Sequence, residues 1–147
     1  LSGMVLREIS QHLTGVDLSS KMLAQAHHKA IYDELIESEL ISYLMQNKST
    51  YDLITAADVL PYLGDLTPLF THIKLHLANQ GLFILTHEIS EQASWILQTT
   101  ARFAHHPRYL NALAETHGFQ VVHQEAFVAR KHNNNDLPVM LYALQQP

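Results

Sequence analysis

The segment YDLITAADVL carries a nearly continuous apolar run from Leu53 to Ala57, closed off beyond it by Pro61 and Gly64. A run of that length between chain breakers reads as a strand buried on both faces, the environment of a parallel sheet. GLFILTHE, from Gly81 to Glu88, reads the same way. Between them, Leu69, Phe70, Ile73 and Leu77 recur at helical spacing along Leu66 to Leu77, with His72, Lys74 and His76 mostly off that face. Asn79-Gln80-Gly81 marks a turn before the second strand. Parallel neighbours need a crossover of this kind, so the middle of the chain predicts a parallel strand pair with a covering helix.

The first third repeats the alternation. Val5, Leu6, Ile9 and Leu13 give the opening a helical stripe, and Leu13 to Leu18 then reads as a short strand. Ser19 or Ser20 is placed to cap a helix carrying Met22, Leu23 and Ala26. A second short strand is expected near Leu35 to Leu40. Ile41, Leu44 and Met45 supply another helical stripe, ending in a polar turn at Asn47 to Thr50.

The last third changes character. Residues from about Ser90 to His117 read as helical, interrupted near His105-His106-Pro107 because proline cannot continue the hydrogen-bond ladder. Gly118 is placed as a helix C-terminal cap. GFQVVHQEAFVAR and DLPVMLYAL are strand-like, and KHNNN between them leaves no room for a crossover helix, so these two pair antiparallel. The fold class is therefore α/β, a mostly parallel sheet with an antiparallel C-terminal hairpin.

A chain of 147 residues fits a single domain spanning residues 1–147. Its formal net charge of -5 offers no basic field for a phosphate backbone, which argues against nucleic acid as a partner. With no cysteine, thiolate metal sites and disulfides drop out, and the composition fits a reducing cytoplasm. No apolar run approaches the roughly 20 residues of a membrane span. Leu1 to Gly15 lacks the pattern of a signal peptide.

In a sheet of this kind, ligands bind beyond the carboxyl ends of the strands. The polar residues there are Asp17, Glu39, Asp58 and the His87-Glu88 pair. An acid ending the second strand, about 20 residues after a glycine loop, accepts from ribose hydroxyls, which suits a carboxylate because it only accepts when ionised. The plainer reading of Asp17 is a surface turn former or helix cap. Asp58, His87 and Glu88 can each serve as a general base, histidine because it titrates near neutrality. The plainer reading of Asp58 and His87 is a structural strand end.

HLTGVDLSSKML, YDLITAADVLPYLGDL and LANQGLFILTHE resemble successive motifs of the class I S-adenosylmethionine-dependent methyltransferases. The nearest likeness is to bacterial methyltransferase domains that often follow tetratricopeptide repeats. It runs over nearly the whole chain, and ADVLPYLGDL is its most specific part. The resemblance implies a Rossmann-like sheet and methyl transfer from S-adenosylmethionine to a small-molecule or protein acceptor. It also implies that the family's first strand and glycine loop precede Leu1, with tetratricopeptide repeats before them in the full chain. Without that strand and loop, the polypeptide by itself is expected to be poorly stable or inactive.

On this sequence the resemblance makes Asp17 the ribose-binding acid, with Leu18 and Met22 flanking the adenosine. Glu39 falls where the family commonly has an aspartate for the adenine amino group, with Leu40 beside the ring; the glutamate is a departure. Ala57 and Asp58 end the strand that passes the methionine portion. Tyr62 and His87 face the acceptor side. Arg102, Arg108 and Tyr109 lie in the segment that often covers the acceptor pocket, where a basic pair meets an anionic substrate or else simply faces solvent.

Two further readings compete. A nicotinamide-dependent oxidoreductase uses the same ribose-binding acid, and a degenerate domain binds partners without catalysis. The C-terminal hairpin and YDLITAADVL favour methyl transfer over the first. The 11 histidines invite a metal reading. His72 and His76 have helical ligand spacing, but Ile73 stands where a zinc protease helix carries glutamate, and no third ligand follows. His27-His28 and His105-His106 are adjacent pairs that diverge on a helix. No metal is expected. Neither a Gly-x-Ser-x-Gly elbow nor a Walker loop occurs.

Overall fold

The computed structural model describes residues 2–92, 94–132 and 135–147. Asn133 and Asn134, within the expected KHNNN link, lie outside the described residues. The chain divides into two compact units, residues 1–48 and 49–147.

The first unit contains α1 (Ser2–Ile9), β1 (Thr14–Asp17), α2 (Ser20–His28), β2 (Glu34–Glu37) and α3 (Leu40–Gln46). β1 and β2 are parallel, with Asp17 opposite Glu37. Gly15 lies at a close approach, where a Cβ would stand 2.9 Å from the end of the Leu35 side chain and 3.1 Å from the Tyr32 ring, so those side chains would have to shift. Ser19 caps α2, its hydroxyl accepting from the Met22 amide at 3.4 Å. Asp33 ties α1 to the entry of β1. Its carboxylate accepts from the Leu13 amide at 2.7 Å and from Arg7 at 2.6 Å, and these bonds hold its pKa below the ordinary value. The second strand ends at Glu37 rather than near Leu40, because Glu39 is taken up as the cap of α3.

The second unit holds β3 (Tyr51–Ala56), a 3-10 turn (Leu60–Tyr62), α4 (Thr67–His76), β4 (Leu77–Glu88), β5 (Trp95–Leu97), β6 (Phe103–His105), α5 (Pro107–Thr116), β7 (Gln120–His132) and β8 (Asn135–Gln145). Its main sheet has the order β3-β4-β8-β7. β3 and β4 are parallel, whereas β8 pairs antiparallel with both β4 and β7. The expected α/β class with its antiparallel C-terminal hairpin is thus the fold that forms. β3 stands at an edge of this sheet, so of its residues only Ala56 is fully buried, in place of the two-faced burial expected from its sequence.

The core gathers where α4 and α5 cover the sheet. Phe70 meets Phe83 and Phe119 edge-on, with centroids 5.9 and 6.1 Å apart, an arrangement that aromatic quadrupoles favour. His76, expected off the apolar face, is buried, and its Nδ1 is 2.7 Å from the His72 carbonyl. That bond within the helix satisfies the ring where it enters the core. The turn expected at Asn79-Gln80-Gly81 survives as an irregularity inside β4. Gln80 has φ 63°, and the register with β3 jumps from Tyr51–Leu77 to Leu53–Leu82.

The helix expected from Ser90 to His105 does not form. β5 and β6 make a hairpin there instead. Trp95, Ile96 and Phe103 favour extended backbone, and Ala101 at φ 59° closes the turn as the Gln98 amide bonds to the Arg102 carbonyl at 2.9 Å. The hairpin packs on Gly64, where a Cβ would meet the rings of Trp95 and Phe103 at 3.1 Å. Pro107 therefore opens a helix rather than interrupting one, as its fixed φ permits at a first helical position. α5 ends on Gly118 at φ 69°, whose amide bonds to the Glu115 carbonyl at 3.0 Å. Among the described residues, no helix is long and apolar enough to cross a membrane.

Candidate functional site

In the first unit the carboxyl ends of β1 and β2 lie side by side, joined by a 3.1 Å bond from the Ser38 amide to the Asp17 carbonyl. Asp17 closes β1, and its Oδ1 accepts from the Ser19 amide at 2.8 Å, which fixes the side chain at the entrance to α2. Glu39 follows Ser38, so both predicted acids stand at the same end of one strand pair. The Glu39 carboxylate accepts from the Ile41 amide at 3.0 Å and from the Ser42 amide at 2.8 Å. These backbone donors, Ile41 first, hold its pKa below the ordinary value. Each ionised oxygen has a second lone pair, so capping does not exhaust its capacity to accept. Leu18 and Met22 are 70% and 52% exposed beside Asp17. Apolar side chains left open next to an acceptor-only carboxylate fit a nucleoside, whose ring needs apolar cover and whose sugar offers hydroxyl donors.

In the second unit, polar residues from four segments converge on Arg102, at the start of β6. Its Nε donates to Glu88 Oε1 at 2.6 Å and its Nη2 to Asp58 Oδ1 at 2.5 Å. Gln98 donates to the other Glu88 oxygen at 2.6 Å. The guanidinium carbon lies 5.4 Å from the centre of the Tyr62 ring, within the range of a cation–π contact. Burial of Arg102 works against its charge, but the bonds to Glu88 and Asp58 outweigh it and raise its pKa.

The arrangement is graded in depth. The side chains of Glu88, Arg102 and Asp58 are 5%, 17% and 64% exposed. Asp58 itself sits at φ 58°, with its amide donating to Thr86 Oγ1 at 3.1 Å. The ends of β3 and β4 are thereby locked together. Ala57 precedes this turn and is exposed.

Of the residues predicted to be catalytic, Asp58 and Tyr62 share the Arg102 guanidinium. His87 is placed differently. The pleat of β4 sends Thr86 and Glu88 to one face and His87 to the other. There the His87 ring is buried, stacked on Tyr142 with centroids 5.7 Å apart and set edge-on to His105 at 6.0 Å. Its Nδ1 donates to the Glu88 carbonyl at 3.0 Å. Burial pushes its pKa down to about 4. His105 donates from Nε2 to the Gly64 carbonyl at 3.0 Å, and burial lowers its pKa too.

Arg102 therefore does not face solvent, whereas Arg108 is exposed. Tyr109 stacks on His105, takes the Leu66 amide at 2.9 Å and donates to Asp65 at 2.9 Å, which makes it a tie between α5 and α4. Gln98 is the site residue that sequence reasoning missed. Its segment read as helix, and nothing local marks it as a partner for Glu88.

The chain belongs to the methyltransferase domain family, whose model matches residues 2–124. Among solved structures, it is similar to a SAM-dependent methyltransferase from Methanosarcina mazei at 14% identity, covering 97% of this chain and 85% of that one with a TM-score of 0.73. TehB from Haemophilus influenzae matches at 13% identity over 98% of this chain and 53% of its own, TM-score 0.75. The N-methyltransferase NodS from Bradyrhizobium japonicum, in complex with S-adenosylhomocysteine, matches at 15% identity over 99% of this chain and 74% of its own, TM-score 0.73. At such identities the likeness speaks for the fold. No match was found among curated protein sequences.

Proposed function

We propose that the protein transfers a methyl group from S-adenosylmethionine to a small-molecule or protein acceptor. The observation that carries this reading is the pair of acids, Asp17 and Glu39, at adjoining carboxyl ends of β1 and β2 beside exposed Leu18 and Met22. Asp17 takes the ribose hydroxyls, Leu18 and Met22 flank the adenosine, and Glu39 accepts from the adenine amino group with Leu40 beside the ring. The bound cofactor supplies a methyl group activated by its sulfonium. The chain's own residues orient the partners and shape the electrostatics, which is the protein's share of such chemistry.

Asp58 and Tyr62 stand on the acceptor side, held by Arg102. His87 supports the end of β4 from the buried face. The family membership favours this reading over an oxidoreductase. The absence of cysteine supports a cytoplasmic setting. Isothermal titration of the full-length protein with S-adenosylmethionine and with NAD tests the assignment. Binding of the first and none of the second is expected. Binding of NAD alone would replace methyl transfer by hydride transfer, and binding of neither would favour a non-catalytic domain.

A further inference from the structure

Beside the Arg102 cluster, and wholly within the second unit, lies an open cleft of about 240 Å³. One wall is apolar, formed by Phe127, Leu137 and Val139 of the C-terminal hairpin, and Asp58, Thr86, His87 and Glu88 line the polar side, His87 with its ring turned away onto Tyr142. The pleat accounts for this division. Glu88 is opposite Val139 across β4 and β8, and Val139 is opposite Phe127 across β8 and β7, so the three share one face.

The polar side is richer in acceptors than in donors. Asp58 and Glu88 are carboxylates, and the Thr86 hydroxyl, which accepts the Asp58 amide, keeps a single O–H to donate. Arg102 is the cation seen at these groups among the described side chains, and it is committed to both carboxylates, at 2.6 and 2.5 Å. Two carboxylates against one guanidinium leave one negative charge, and Asp58, the more exposed of the two, presents it to the cleft. A ligand that complements these surfaces carries a donor-rich positive group at one end and an apolar body at the other.

We infer that the methyl acceptor is a primary amine with an apolar or aromatic body, its nitrogen at Asp58 and its body against Phe127 and Val139. This inference rests on the methyltransferase reading and names the acceptor class for it. The amine arrives as an ammonium and gives one proton to water at Asp58. Its freed nitrogen lone pair then forms the bond to the methyl carbon, the carbon–sulfur bond breaks with its electrons remaining on sulfur, and the product leaves as the methylated ammonium. An anionic acceptor has no free cation to meet at the described groups.

The test is a set of NMR titrations of the nitrogen-15-labelled full-length protein with 2-phenylethylamine, 2-phenylethanol and 3-phenylpropionate. The amine is expected to bind at least tenfold more tightly than the other two, with shifts at Thr86, Glu88, Phe127 and Val139. Asp58→Asn, a near-isosteric change at an exposed side chain, should remove that preference. Phe127→Ala should weaken amine and alcohol alike. Equal binding of the alcohol, tighter binding of the carboxylate, or shifts away from the cleft would overturn the inference. S-adenosylmethionine titrated in parallel separates the two failures. If the cofactor binds and the amine does not, the acceptor class is wrong. If the amine binds and the cofactor does not, the cleft no longer serves methyl transfer and the inference about the acceptor falls with it.

Discussion

Arg102 donates to Glu88 across 2.6 Å, joining the start of β6 to the end of β4 with both side chains largely out of water. Removing one partner of such a pair leaves an uncompensated charge, whereas removing both leaves none. Arg102→Met is therefore expected to cost about 3–5 kcal/mol, and the double variant with Glu88→Gln should recover much of that loss. Urea denaturation of the two variants measures the difference. A double variant as unstable as Arg102→Met would show that the charge left behind is not what destabilises.

His87 sets a pH dependence. Its folded pKa of about 4 lies below the ordinary value of 6.5, so between these values the unfolded chain takes up a proton that the folded chain refuses. Stability thus rises with pH through that window and falls on acidification, by on the order of 3 kcal/mol across it. His87→Phe keeps a ring against Tyr142 and removes the titration. Its thermal midpoint should vary less steeply with pH over this range than that of the parent, and an unchanged slope would assign the acid sensitivity elsewhere.

Asp17→Ala should weaken S-adenosylmethionine binding by about 10–100-fold, the worth of hydrogen bonds to an ionised group. Asp17→Asn keeps an oxygen for the Ser19 amide and should lie between the two. Calorimetry on the three proteins gives the order, and equal affinities would remove Asp17 from the cofactor site.

Phe70→Ala removes a ring enclosed by Phe83 and Phe119 and should destabilise by about 3–5 kcal/mol. The readout is the urea midpoint. A loss near 1 kcal/mol would mean that the neighbouring rings collapse into the space.

The sequence carried what depends on periodicity and chain breakers. β3, α4, β4 and the antiparallel pair of β7 and β8 follow from apolar runs, helical spacing and a connection too short for a crossover. Ser19 and Gly118 were legible because caps are local. Trp95 to Phe103 went the other way: its hairpin is set by packing on Gly64, some thirty residues earlier, and a single-segment reading favoured helix. The strand ends pointed to Asp58 and Glu88, but their shared partner was hidden. Arg102 lies 44 residues from Asp58 and 14 from Glu88, with no fixed spacing to link the three. His87 shows the limit most plainly. A histidine one residue before a candidate acid looks like part of the same site, and only the alternation of β4 reveals that it faces the opposite side.

The margin of the second unit's sheet opposite β3 is β7, whose pairing with β8 slips between Val121 and His123 and again between Val128 and Arg130. A foreign strand seeking to zip onto that margin would find a regular ladder only from His123 to Val128, interrupted on either side. Because bulges of this kind break templated growth, the hairpin can keep Phe127 open to a small ligand, and Val122 and Val128 exposed, without becoming a seed for aggregation.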